Sequence, residues 1–290
     1  MTDASDTKGI SRRHILAATA AGSAATAIAA FGTQARAQTA SNAASAAGAG
    51  RVAVVTGSSR GIGAATAKRL AQDGFKLVVN CRVNRDLAAA VVKDIEAEGG
   101  QAVWEQADIR DPAAVRRLFD AAERAFGGID VAVANAGVMH LAPFSKMSDD
   151  DFDTMMDTNT KGSFNTLREA ANRVRDGGRI VAMSSSIVAL RSPTYGPYAA
   201  SKASMEIFTN ILAKELAGRK ISVNAVAPGL VATSLFLDGK SEEQVAGFAQ
   251  RTPHGRIGEP SDIAATIAFL CSQDGWWING QTLYSNGGVV

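Results

Sequence analysis

Arg51-Val-Ala-Val-Val-Thr56-Gly57-Ser58-Ser59-Arg60-Gly61-Ile62-Gly63 is a short apolar run that passes straight into glycine-rich sequence, with a helical stretch following through Asp73. Successive apolar residues without polar alternation suit a strand buried on both faces, as parallel sheets require. Glycines at the strand exit allow a tight turn and close backbone approach. The helix behind them aims its N-terminal amides and dipole at whatever lies in front, a good seat for a pyrophosphate. A glycine-rich turn also serves plain chain reversal, so this segment fixes the fold better than it fixes a ligand.

Outward from it, the pattern repeats. Lys76–Asn80, Ala102–Ala107, Ile129–Ala134, Arg179–Met183, Ile221–Ala225 and Thr282–Tyr284 read as further strands, with helices ending near Glu98 and spanning Ala113–Phe126. Strand–helix alternation predicts a single α/β domain over 51–290, a Rossmann-type doubly wound parallel sheet with helices on both faces. There is no internal repeat and no second domain.

The strand ends carry the candidate nucleotide site. Gly57, Ser59, Arg60, Gly61, Ile62 and Gly63 form the phosphate turn. The second strand ends in Asn80-Cys81-Arg82, where an acid would hydrogen-bond a ribose 2′-hydroxyl and repel a 2′-phosphate. No carboxylate stands there, and Arg60 and Arg82 offer guanidinium forks to phosphate oxygens, so NADP is expected over NAD. Solvated surface arginines are the alternative. Asp108-Ile109 closes the third strand, where an acid can accept from an adenine amino group. Asn135-Ala136-Gly137 closes the fourth, where small residues leave room for a ribose. Asp111-Pro112 reads as a helix cap.

Tyr198-Ala-Ala-Ser-Lys202 places a phenol and an amine four residues apart, on one face if helical. An ammonium beside a phenol lowers its pKa towards the working range of a general acid/base. Ser185 ends a predicted strand at the sheet edge where ligands bind, and its hydroxyl can donate to a carbonyl oxygen. Ser184 and Ser186 compete with it. Tyr195 stands seven residues before Lys202 and does not make the same pairing.

Thr-Gly-x-x-x-Gly-x-Gly, Asn-Ala-Gly, a central Asn, Ser and Tyr-x-x-x-Lys occur here in one order. Pro228-Gly229 and the ending Asn279-Gly280-Gln281…Asn286-Gly287-Gly288 follow them. In these features residues 51–290 resemble the short-chain dehydrogenase/reductase family, and most nearly its 3-oxoacyl-carrier-protein reductase and glucose-dehydrogenase-like members. The resemblance implies that Tyr198 donates a proton to the substrate oxygen and that Lys202 holds the nicotinamide ribose. It implies that Ser185 orients the carbonyl and that Asn159 anchors a water serving the lysine. Pro228, Gly229 and Thr233 would meet the nicotinamide carboxamide. Ala134 departs from the family, many members carrying Asn there. The implied activity is reversible hydride transfer between NADPH and a carbonyl or alcohol: a ketone, aldehyde, sugar or 3-oxoacyl compound. A catalytically silent NADP-binding sensor or assembly subunit is the alternative. Leu230–Thr252 would cover the substrate with Leu235, Phe236, Leu237 and Phe248, opposite Met139, His140, Leu141 and Phe144, unless these are core or oligomer contacts.

The first residues read differently. Arg12-Arg13 precede an uncharged Ala-rich stretch, and Ala35-Arg36-Ala37 supplies small residues two apart, the parts of a twin-arginine signal peptide over 1–37. The expected destination is the periplasm or beyond, with a flexible linker over 38–50 and no stable membrane insertion after cleavage. An uncleaved tail on a cytoplasmic protein is the alternative. Lys8, Arg12, Arg13 and Arg36 against Asp3 and Asp6 account for the whole formal charge of +2, leaving the remainder neutral. A neutral domain offers no basic footprint for nucleic acid. Cys81 and Cys271, with three histidines, make no metal-binding pattern and read as two separate small core residues. The apolar C-terminal strand and Trp276-Trp277 point to a homo-oligomer, a tetramer or dimer.

Overall fold

Alternate residues of the first strand, β1 (Val52–Val55), serve two different cores: Val52 and Val54 pack in one layer, Ala53 and Val55 in the other. This two-sided burial explains the unbroken apolar run. The computed structural model describes residues 48–290. The 1–37 signal reading and residues 38–47 of the expected linker lie outside the described residues. Gly48–Gly50 form a turn tied to the domain, Gly48 N–H donating to Asp73 O at 2.8 Å.

From β1 the chain runs through α1 (Gly61–Gln72), β2 (Lys76–Cys81), α2 (Arg85–Ala97), β3 (Gln101–Gln106), α3 (Pro112–Phe126) and β4 (Ile129–Ala134). It continues through α4 (Asp149–Met155), a π-helical turn (Met156–Gly162), α5 (Ser163–Arg173) and β5 (Val174–Met183). The short α6 (Ile187–Leu190), α7 (Gly196–Glu215), β6 (Ser222–Pro228), α8 (Ser234–Leu237), α9 (Glu242–Gln250), α10 (Pro260–Cys271) and β7 (Thr282–Ser285) complete it. All strands pair in parallel, in the order β3-β2-β1-β4-β5-β6-β7. The expected doubly wound α/β sheet is what forms. Leu118 of α3, Leu167 of α5 and Met205 of α7 cover one face, and Leu70 of α1, Val91 of α2 and Ile267 of α10 the other. The chain leaves β1 for β2 and β3, then returns to β1's other side as β4. That reversal opens a crevice at the strands' carboxyl ends, the usual ligand position in open α/β sheets.

Several boundaries differ from the sequence reading. β5 starts at Val174 because Val174 pairs with Ile129 ahead of the main ladder. β6 extends to Pro228, since Ala227 and Pro228 pair with Tyr284 and Ser285 of β7. The helical region over 149–173 had no clear apolar period. It is started by local chemistry, Ser148 Oγ accepting from Asp151 N–H at 3.1 Å with Asp149–Asp151 in the first turn. Asp111 caps α3 as expected, accepting from Ala113 N–H at 2.8 Å. Cys81 and Cys271 are both free and buried. No helix among the described residues is long and apolar enough to cross a membrane.

Candidate active site

A cavity of about 890 Å³ lies along this crevice, lined by the exits of β1, β2, β4, β5 and β6 and by α8 and α9. At one end is the glycine turn. Gly57 has φ +63°, and a Cβ there would stand 2.9 Å from Ala136 Cα. At Gly63 a Cβ would meet Asn135 Nδ2 and Gly57 O, each at 2.5 Å. Side chains would fill this cradle, and the first amides of α1 open into it with no acidic residue in the first turn. The residues present therefore fit a diphosphate.

The turn is braced from below by residues the sequence reading missed or assigned otherwise. Ser58 Oγ donates to Val55 O at 2.6 Å and accepts from Asn80 N–H at 2.9 Å. Thr56 Oγ1 accepts from Asn135 N–H (3.0 Å) and Ala136 N–H (3.1 Å), joining the first and fourth strand exits. Their signal was only a small hydroxyl residue on either side of the first glycine. Asn80 lines the cavity, but its side chain is committed to the scaffold. Its Oδ1 accepts from Gly57 N–H at 2.9 Å, and its Nδ2 points at the carbonyls of Cys81, Glu105 and Ala107. Arg60 and Arg82 line the same end and make no side-chain ion pair among the described residues. Asp108 also lines it, but its carboxylate is gripped by Arg110 at 2.6 Å, which holds its pKa below the usual range. Ile109, Asn135, Ala136, Gly137, Pro228, Gly229 and Thr233 all border the cavity.

Beyond the cradle, α7 carries Tyr198 and Lys202 on its buried face against the end of β5. Lys202 Nζ donates to Met183 O at 2.9 Å and lies 5.9 Å from the Tyr198 ring centre. Burial pushes the Tyr198 pKa up to about 12, against a smaller opposing effect of Ser185 beside it, which favours the ionised form. The same burial brings Lys202 down to about 8. The expected depression of the tyrosine by the lysine does not appear: burial sets the direction of the Tyr198 shift, and it weakens the ammonium too.

The three serines separate by their partners. Ser184 donates to Glu206 Oε1 at 2.7 Å, and Ser186 donates to Ala227 O (3.2 Å) while accepting from Asn286 Nδ2 (3.1 Å). Ser185 Oγ accepts from Ile187 N–H at 3.3 Å and faces Tyr198. Asn159 sits in the π-helical turn, a backbone irregularity common at functional sites. Its Oδ1 accepts from Val138 N–H (2.8 Å), while its Nδ2 donates to Val138 O (2.9 Å) and Ser201 Oγ (3.0 Å). It thereby anchors the loop at Gly137, where a Cβ would lie 3.1 Å from Asn159 Oδ1 and 3.3 Å from Lys202 Nζ.

The outer wall is mostly apolar, with Met139, Ile187, Leu190, Leu235, Phe236 and Phe248, and it also carries Ser192, Ser234 and the cation Arg251. Of the expected opposite wall only Met139 borders the cavity. His140 turns to Asp151 at 3.0 Å, Leu141 is partly exposed and Phe144 is 80% exposed. Leu237 likewise stays outside the lining. Tyr195, set aside in the sequence reading, does line it. Among the described residues no cluster of three or more metal-ligating side chains occurs.

Comparison with known proteins agrees with this geometry. Residues 57–290 match the family model described as enoyl-(acyl carrier protein) reductase. The chain is 44% identical over 251 residues to a short-chain type dehydrogenase/reductase of Picea abies, covering 83% of this chain and 93% of that protein. It is 42% identical over 256 residues to an NADPH-dependent aldehyde reductase-like chloroplastic protein of Arabidopsis thaliana, covering 83% and 95%. Among solved structures, a short-chain dehydrogenase from Burkholderia cenocepacia J2315 in complex with NADP superposes with a TM-score of 0.78 at 38% identity, over 83% of this chain and 98% of that one. On these grounds the chain belongs to the short-chain dehydrogenase/reductase family.

Proposed function

We propose that this protein is an NADPH-dependent carbonyl reductase in which Tyr198 supplies the proton. The observation that carries the reading is the meeting of Tyr198, Lys202 and Ser185 at the inner end of a glycine-lined diphosphate cradle. NADPH, when bound, supplies the hydride. Gly57, the α1 amides, Arg60 and Arg82 would hold its phosphates, and Asn80 keeps the turn in shape. Arg60 and Arg82, without an acid at the end of β2, favour the 2′-phosphorylated nucleotide. The NADPH-dependent Arabidopsis relative and the NADP-bound Burkholderia structure support that choice.

A substrate carbonyl enters against the apolar wall and accepts hydrogen bonds from Ser185 and Tyr198. Because its pKa is raised, Tyr198 is protonated at neutral pH and stands as the donor in the reducing direction. Lys202 in its ammonium form offsets the charge left on the phenolate. Asn159 holds the backbone that backs the lysine. The apolar wall supports a ketone or aldehyde over a sugar or an acyl-carrier substrate.

The test follows NADPH and NADH consumption over ketones, aldehydes, sugars and 3-oxoacyl thioesters, with Tyr198→Phe as control. Turnover with NADPH that the control loses is the expected result. Nucleotide binding without turnover of any compound would favour a silent sensor. Two further readings belong here. The Arg12-Arg13 segment supports twin-arginine export, so a fusion of residues 1–37 should fail to reach the periplasm of a strain lacking that pathway. Exposed Phe164, Ile207 and Ile211 support a homo-oligomer, which sedimentation velocity would test.

A further inference from the structure

Tyr195 is the one phenol of the cavity that the reaction above leaves unused. It borders the cavity beside Tyr198, their ring centres 6.4 Å apart in an edge contact. It packs against the small core of Met155, Ile187 and Tyr198, and its hydroxyl makes no hydrogen bond among the described residues. The residue is half-buried and its hydroxyl is not sealed away, which leaves it free to donate to a molecule in the cavity. Burial raises its pKa, so it stays a neutral donor at all ordinary pH.

The backbone that delivers Tyr195 is unusual. Thr194 has φ +72° and Arg191 φ +51°, both in the left-handed region, which a β-branched residue strongly avoids. Such strain persists only where surrounding contacts over-determine it, and it gathers at functional sites. Here Thr194 O accepts from Ala142 N–H at 3.2 Å, and Tyr195 N–H reaches Ser192 O at 3.4 Å. Together these hold the turn against the loop that follows β4. They aim the phenol into the cavity at the first turn of α7, one turn ahead of Tyr198.

We infer that Tyr195 is a specificity-determining residue that donates a hydrogen bond to a second oxygen of the substrate, so that the enzyme prefers carbonyl compounds carrying another acceptor oxygen close to the reacting carbonyl. The inference rests on the reductase reading given above. The apolar wall would take the rest of such a molecule, giving an aromatic or aliphatic diketone, hydroxyketone or oxo-ester. A site built around a donor discriminates against an analogue that leaves the donor unpaired.

The experiment compares wild type with Tyr195→Phe, which keeps the ring and removes only the hydroxyl. The substrates are 1-phenylpropane-1,2-dione and its two monoketone counterparts, propiophenone and phenylacetone. The quantity read is the ratio of kcat/KM for the dione to that for each monoketone, so intrinsic reactivity cancels between the two proteins. Loss of one neutral hydrogen bond should lower that ratio about tenfold in Tyr195→Phe. A ratio the same within twofold in both proteins would overturn the inference, whatever the absolute rates. If wild type oxidised NADPH with none of the three and with no member of the wider carbonyl panel, the reductase reading would fall, and this inference with it.

Discussion

Tyr198 and Lys202 share one burial, and it drives them in opposite directions, to about 12 and about 8. Reduction needs the phenol protonated and the amine charged. Its rate should therefore be flat at lower pH and fall as pH rises through about 8, where Lys202 loses its proton. A profile of kcat for NADPH oxidation unchanged up to pH 10 would contradict this. Stability runs the other way. Lys202 binds fewer protons folded than unfolded between about 8 and its ordinary 10.5, so the fold gains up to about 3 kcal/mol over that window as pH rises. Tyr198 reverses the trend above its ordinary 10, where only the folded form keeps its proton. Urea midpoints across pH 7–11 would trace both limbs. Tyr198→Phe should lower kcat by about 10²–10⁴ with NADPH affinity retained. At this scale the sequence revealed which residue types meet, since Tyr-x-x-x-Lys on a helix can face only one way. It did not reveal the direction of the tyrosine shift, because burial is a property of the surroundings. The interval to Tyr198 singled out Ser185, but the reason its neighbours are occupied was not legible, since Ser184 and Ser186 find partners in Glu206, Ala227 and Asn286, distant in sequence.

The β1–α1 turn is where element and ligand meet most tightly. Gly63→Ala would set a methyl against Asn135 Nδ2 and the backbone oxygen of Gly57, and neither has room to retreat. NADPH affinity should fall at least tenfold, read by nucleotide fluorescence titration. Asp111→Ala is the matching control. It removes the α3 cap away from the cavity, and should cost about 1 kcal/mol of stability while leaving NADPH affinity as it was. Buried strands were legible because apolar runs flanked by glycine have few other readings. The helical region over 149–173 was not, since its capping serine and acidic first turn signal a start but no apolar stripe marks its length. The assignment of Asn80 to the cofactor shows the same limit. Its strand-end position was right, but its hydrogen bonds go to Gly57, Cys81, Glu105 and Ala107, which only the packed sheet brings together.

Across the whole molecule, the parallel sheet supplies one crevice at its strand exits, and binding there should stabilise the entire domain. NADPH at a hundred times its Kd should add about 2.7 kcal/mol and raise Tm by roughly 5–10 °C. NADH at the same concentration should raise it less, and replacing Arg60 and Arg82 together by alanine should narrow that gap. Equal shifts from both nucleotides would remove the assigned role of the two arginines. The doubly wound sheet, the ligand-binding edge and the family all followed from motifs whose spacing survives in the linear chain, whereas the order of the strands emerges only from the packed sheet. The apolar wall was only half legible, because loops fold by contacts that no period announces; His140 and Phe144 turned away while Tyr195 turned in. The most direct measurement of the central claim is transfer of deuterium from NADPH labelled at nicotinamide C4, on each face in turn, into the carbinol carbon of an alcohol product, read by mass spectrometry. The account predicts label arriving from one face only with wild type, and labelled product forming about 10²–10⁴ times more slowly with Tyr198→Phe. Product without label from either face, or a rate of label transfer indifferent to the loss of the Tyr198 hydroxyl, would contradict it.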